Sequence, residues 1–196
     1  MKKRILVVVG TRPNFIKITQ FRRVAEKYGN ELDLKILHTG QHYDAKMSDV
    51  FFQQFEIEPD IYGNLEAKTP AAQMGEIMIT LESICNEFKP ELIMVPGDVN
   101  STLSTAITAN KMGIPLAHIE SGLRSLDRNM PEEINRILTD EFSDILLVTE
   151  QSGLDNLKGE GKPASRIAFV GNTMIDTIVA FTPKIDACSI LDDLNL

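Results

Sequence analysis

Short apolar runs rich in β-branched residues recur along the chain: RILVVV (4–9), LDLKILHT (32–39), ELIMVP (91–96), IPLAHI (114–119), DILLVT (144–149) and RIAFV (166–170). Most are apolar at consecutive rather than alternate positions, which predicts strands buried on both faces. Segments with helical spacing separate most of them. Phe15, Ile18, Phe21, Ala25 and Tyr28 make one stripe, and a longer helix is predicted from Thr69 to Phe88. Buried strands alternating with helices predict an α/β fold, a doubly wound parallel sheet forming one main domain. No internal repeat or low-complexity segment interrupts the pattern.

The polar residues add a second regularity, because they gather where the apolar runs stop. The clusters are Gly10-Thr11-Arg12, His38 to His42, Gly97-Asp98-Val99-Asn100, His118-Ile119-Glu120, Thr149-Glu150 and Gly171-Asn172-Thr173. In an open parallel sheet, ligands bind at the carboxyl ends of the strands beside the point where strand order reverses. Candidate chemistry therefore falls on one edge of the sheet.

Composition narrows the ligand. The formal charge of −8 over 196 residues argues against nucleic acid or an anionic membrane surface as partner, so an anionic ligand needs a local basic pocket. Cys85 and Cys188 are far apart, without a CxxC motif, so neither a disulfide framework nor a zinc site is indicated. Cys85 continues the stripe Met74, Met78, Leu81, Phe88 and is expected in the core. The opening MKKRILVVVG breaks too early for a signal peptide or a membrane span, and a reducing cytoplasmic location is expected.

The first strand ends in VVVGTRPNFIKI, which carries neither the GxGxxG of dinucleotide folds nor a P-loop. Thr11 suits an N-cap and Pro13 the first helical turn, while Arg12 and Lys17 can meet an anion at the helix start. The same cations serve equally as surface groups. In PGDVNST (96–102), Asp98 follows the strand and Asn100-Ser101-Thr102 can cap the next helix. Glu120 ends an apolar strand, so its carboxylate is expected to be partly withdrawn from water, which suits proton transfer. Glu132 and Glu133 sit in a first helical turn, where acids complement the dipole, and Glu132 can pair with Arg136 four residues on while Ile134, Ile137 and Leu138 face the core.

Taken in order, GTRPNFIKI, TGQHYD, GDVNST, HIESGLRS, MPEEINRILTD and GNTMIDT resemble the amino-terminal half of the non-hydrolysing UDP-N-acetylglucosamine 2-epimerases. The resemblance implies one half of a glycosyltransferase-B-type architecture, in which two Rossmann-like domains share a cleft. It divides the chain into residues 1–172, the amino-terminal domain, and 173–196, the start of a crossover toward a nucleotide-binding domain. An isolated half of this kind is expected to be inactive.

Motif by motif, the resemblance implies Asp98, Glu120 and Glu132 as acid/base residues, Arg12 and Lys17 in substrate binding and catalysis, and Gln41 near a second UDP-sugar. The candidate substrate-binding set is Arg12, Lys17, Gln41, His42, Asn100 and Arg136, with no metal and no cofactor. The implied partners are a UDP-sugar and, in the full-length protein, a second copy of the chain. The short SLDRNM loop before PEE is similar to that of archaeal members and of relatives acting on UDP-2,3-diacetamido-glucuronate, which leaves the sugar open. A hydrolysing epimerase and a non-catalytic binding module are the alternatives.

The chemistry suits the residues. Inverting C2 of an N-acetylhexosamine removes an unactivated proton. Expelling UDP across C1–C2 to a glycal and then re-adding it needs proton-handling groups on both faces and cations near the departing diphosphate.

Overall fold

The computed structural model describes residues 2–41 and 52–194. Its seven-stranded sheet has the order β3-β2-β1-β4-β5-β6-β7, and every neighbouring pair is parallel. The strands are β1 (Lys3–Val9), β2 (Leu32–His38), β3 (Ile61–Tyr62), β4 (Leu92–Pro96), β5 (Leu116–Ile119), β6 (Ile145–Val148) and β7 (Ile167–Phe169). Each apolar run of the sequence is one of these strands. The two-residue edge strand β3 is the addition, too short to leave a periodic signal.

Strand order reverses between β1 and β4, the position at which this kind of sheet opens a crevice. The register lines up the carboxyl ends: Val9 pairs with His38, Pro96 with Ile119, and Ile119 with Leu147. The polar clusters that follow these strands therefore share one edge, as the sequence predicts.

Successive β1 residues bury into opposite faces. Leu6 and Val8 join Leu37, Ile93, Val95, Leu81, Cys85, Ala106 and Ala109 on one side. On the other, Val7 and Val9 join Ile36, Phe15, Ile18, Phe52 and Ile57. Covering both faces with helices explains why the central strands lack polar alternation. Cys85 is buried, and burial pushes its thiol up to about 11, as befits a packing residue.

Eight helices are described: α1 (Arg12–Ile16), α2 (Phe21–Lys27), α3 (Pro70–Phe88), α4 (Asn100–Met112), α5 (Pro131–Phe142), α6 (Gln151–Gly159), α7 (Thr173–Asp186) and α8 (Ile190–Asp193). The stripe from Phe15 to Tyr28 is thus two helices, because the chain turns at residues 17–20. The turn lets Phe15 and Ile18 enter the core while Tyr28 stays exposed. Asn172 caps α7 by accepting the Met174 N–H at 2.9 Å. Helix α7 returns to α1, where the buried Thr177 hydroxyl donates to the Ile16 carbonyl at 2.6 Å. Among the described residues, no helix is long and apolar enough to cross a membrane.

Candidate active site

The edge above β1, β4 and β5 is built from three turns that hold one another. After β1, Thr11 is the N-cap of α1 in extended conformation, and Pro13 occupies the first turn. The side chain of Asn14 closes this turn: its Oδ1 accepts from the Gly10 N–H at 3.3 Å and the Thr11 N–H at 3.2 Å. Its Nδ2 donates to the Pro96 carbonyl at 3.2 Å, fastening the first turn to the second. Asn14 was not among the candidates, although the spacing from Thr11 is that of a capping box.

The second turn follows β4. Gly97 has φ +74°, a conformation that only glycine adopts without strain. A Cβ there would lie 3.0 Å from Asn14 Nδ2 and 3.3 Å from Lys17 Nζ, so α1 leans directly on the turn that presents Asp98. Helix α4 begins at Asn100, with Val99 and not Asn100 at the cap. A remote side chain supplies what a local cap would: Gln41 Oε1 accepts from the Ser101 N–H at 2.9 Å and from its hydroxyl at 2.5 Å. Asn100 instead donates through its amide to Gln73 Oε1 at 3.4 Å.

At the end of β5, Glu120 has φ +71°. A non-glycine residue held there costs about 1–3 kcal/mol and persists only where its surroundings impose it, which is a recurrent property of functional sites. Two hydrogen bonds impose it here, with the Glu120 and Ser121 N–H groups both donating to the Leu147 carbonyl at 3.0 and 3.2 Å.

Two ion pairs line this edge. Lys17 pairs with Glu120, both side chains being largely withdrawn from water at 12% and 16% exposure. Arg136 on α5 pairs with Asp98 and lies 3.6 Å from Glu133. The expected pairing of Glu132 with Arg136 is thus replaced by pairs to Asp98 and Glu133. Glu132 itself is exposed in the first turn of α5. Arg12 is half-buried as the first residue of α1. His42 lies outside the described residues. The structure therefore brings Lys17 to Glu120 and Arg136 to Asp98 on one edge, and separately Gln41 and Asn100, which both reach Gln73.

Helix α5 departs most from expectation. Its buried residues are Glu133, Asn135, Thr139 and Asp140, whereas Leu138 is 39% exposed and Ile134 and Ile137 are half-buried. Three of these buried polar side chains, Asn135, Glu133 and Asp140, hold groups at the strand ends. Asn135 donates to the Asp98 carbonyl at 2.8 Å. Glu133 accepts from the Ser125 N–H at 2.8 Å, its hydroxyl at 2.9 Å and the Leu126 N–H at 3.2 Å, fixing the loop that follows Glu120. Burial alone would raise the Glu133 carboxyl, but these donors bring it below the usual range. Asp140 behaves alike: burial opposes its charge, yet His118 and Arg124 hold it ionised and low. Among the described residues, no group of three or more His, Cys, Asp and Glu side chains is placed to hold a metal.

Comparison with known proteins shows the family and the fold of the chain. Residues 25–194 match the family model described as UDP-N-acetylglucosamine 2-epimerase. The chain is 41% identical over 184 residues to a UDP-2,3-diacetamido-2,3-dideoxy-D-glucuronate 2-epimerase of Pseudomonas aeruginosa, covering 92% of this chain and 52% of that protein. It is 40% identical to a UDP-N-acetylglucosamine 2-epimerase of Methanocaldococcus jannaschii, covering 88% and 47%. The crystal structure of the M. jannaschii UDP-GlcNAc 2-epimerase in complex with UDP-GlcNAc and UDP superposes with a TM-score of 0.90 at 36% identity, over 97% of this chain and 52% of that one.

A lipopolysaccharide outer core galactosyltransferase shares the fold alone, with a TM-score of 0.59 at 15% identity over 87% of this chain and 45% of that one. The chain spans about half the length of the curated relatives it matches. Its Rossmann-like α/β fold and its sequence place it in the UDP-N-acetylglucosamine 2-epimerase family.

Proposed function

We propose that this chain forms the acid/base wall of a non-hydrolysing UDP-N-acetylhexosamine 2-epimerase, within a longer protein whose second domain holds the nucleotide. The observation that carries the proposal is the pairing of two carboxylates, Glu120 and Asp98, each with its own cation, at the carboxyl edge beside the strand-order reversal. A carboxylate takes the C2 proton while the C1–O bond to UDP breaks. The electron pair released at C2 becomes the C1=C2 bond of a glycal, and UDP leaves with the C1–O pair. In the return step a UDP oxygen bonds C1 and a proton reaches C2 from the opposite face.

Lys17 and Arg136 are suited to the anionic leaving group, and each already neutralises a carboxylate that must give or take a proton. Arg12 and the exposed Glu132 complete the proposed set, Glu132 engaging when the second domain covers it. Residues 173–196 are proposed to lead toward that domain, and the 196 residues alone are proposed not to turn over.

The identity to the P. aeruginosa enzyme favours a second reading of the substrate, in which the sugar is a UDP-2,3-diacetamido-uronate. Incubating the full-length protein with each UDP-sugar and separating the products tests both. A UDP-linked C2 epimer in equilibrium with its substrate supports the proposal and names the sugar. Free hexosamine with stoichiometric UDP identifies a hydrolysing enzyme and overturns it.

A further inference from the structure

A buried carboxylate reaches the backbone just after one cleft carboxylate directly and, through a buried histidine, the backbone just before the other. Asp140 is 1% exposed, and its Oδ1 lies 2.6 Å from Nδ1 of the equally buried His118. Its Oδ2 accepts from the Gly122 N–H at 3.1 Å and from Arg124 at 2.7 Å. The other ring nitrogen of His118 lies 2.8 Å from the carbonyl oxygen of Gly97. Gly97 directly precedes Asp98, and Gly122 follows Glu120 by two residues.

Both glycines are in the left-handed region, at φ +74° and +83°. Gly122 packs so tightly that a Cβ there would lie 2.3 Å from the Gly153 carbonyl oxygen. The Gly97 N–H adds a direct tie to the β5 end by donating to Ile119 at 3.2 Å.

We infer that Asp140 and His118 are positioning residues for the reaction, a buried relay that sets the Asp98 turn and the Glu120 turn at a fixed separation. The inference rests on the epimerase reading of the site.

The chemistry of the partners strengthens it. Both ring nitrogens of His118 face acceptors, a carboxylate oxygen and a peptide oxygen, so the ring bonds to both only as the imidazolium. Asp140 also meets Arg124, which in turn pairs with Glu160 through two bonds of 2.7 and 2.8 Å, so the carboxylate that faces His118 belongs to a chain of ion pairs. A neutral ring would turn a lone pair toward one acceptor and release either the Gly97 carbonyl or Asp140. Releasing Gly97 would remove one of the bonds that hold the turn that presents Asp98. Arginine and histidine thus share one carboxylate for different ends: Arg124 anchors the outer loop, and His118 carries the constraint from β5 to the end of β4.

Two measurements on the full-length protein test the inference. The first uses nitrogen NMR of labelled histidine, which is tractable because the chain has three histidines. His38→Gln and His42→Gln variants assign the signals. The inference expects His118 at pH 7 with hydrogen on both ring nitrogens in the wild type and on one in Asp140→Asn. A single neutral tautomer in the wild type would overturn it, and this arm needs neither substrate nor turnover. The second arm compares Asp140→Asn and His118→Gln with wild type in steady-state kinetics. A loss of about 100-fold in kcat, with KM moving less than about threefold, is the expected signature of misplaced reacting groups. Variants that lose only thermal stability, with the kcat of the folded enzyme unchanged, would reduce the relay to a structural ion pair. If the wild type makes no epimer, the proposed function fails, and the NMR arm still decides whether the relay exists.

Discussion

Helices α3 and α5 both lie against the same parallel sheet, yet they bury opposite kinds of surface. Helix α3 turns Ile77, Leu81 and Cys85 inward, as its apolar stripe predicts. Helix α5 turns Glu133, Asn135, Thr139 and Asp140 inward and leaves Leu138 in water. The difference follows from what each helix faces. Helix α3 covers the middle of β1 and β4, where the strands offer only side chains. Helix α5 covers the carboxyl ends of β4 and β5, where turns offer N–H and carbonyl groups that need partners. A helix that packs against strand ends must bury polarity, and this one uses that polarity to hold the groups that surround Asp98 and Glu120.

The comparison breaks most sharply at Asp140 and Leu81. Asp140→Leu strands His118 and Arg124 without their shared carboxylate, and a loss of about 3–5 kcal/mol in chemical denaturation is expected. Leu81→Ala should lose a comparable amount, about 2–5 kcal/mol, by opening a cavity. The folded fraction separates them: it should keep its kcat in Leu81→Ala and lose it in Asp140→Leu. Equal kcat in both would mean that the polar face of α5 is only packing.

A smaller effect is expected at Glu133. Glu133→Gln removes the charge that collects three donors, and about 1–3 kcal/mol should be lost, with faster amide exchange at Ser125 and Leu126. Unchanged exchange there would show that the loop is held by other contacts.

Acid separates the helices without mutation. The Asp140 and Glu133 carboxyls lie below their ordinary values in the folded state, so their stabilisation is fully present above the unfolded values of 3.8 and 4.5 and is lost as pH falls through the lowered ones. Amide exchange should therefore accelerate in α5 at a higher pH than in α3. The smallest effect concerns Cys85. With its thiol buried and pushed up to about 11, only the exposed Cys188 should react with an aromatic disulfide in the native state, and both should react in denaturant.

Much of the architecture is legible in the sequence because burial on both faces leaves unmistakable apolar runs, and because β-strands that end on a shared edge leave their polar residues in step. The candidate site is legible where a charged residue follows such a run, as Glu120 and Asp98 do. It is illegible where polarity is buried by long-range partners. Gln41 capping α4 from another strand end, Asn14 fastening the first turn to the second, and Asp140 with His118 joining the second to the third are contacts between residues distant in sequence, which no local period encodes. The break between α1 and α2 is hidden for a different reason, since the apolar spacing continues across the turn at residues 17–20.

Solvent exchange at the sugar gives the most direct test of the role assigned to the strand-end carboxylates. The full-length protein and its Glu120→Gln variant are incubated with the UDP-sugar in heavy water, and C2 is followed by NMR. Deuterium should enter C2 as the epimer forms in the wild type, and the variant should fall by a factor of about 100 to 10,000 in both exchange and epimerisation while remaining folded. Epimer formed without deuterium at C2, or a Glu120→Gln enzyme that exchanges at the wild-type rate, would contradict the assignment of Glu120 to the reacting proton.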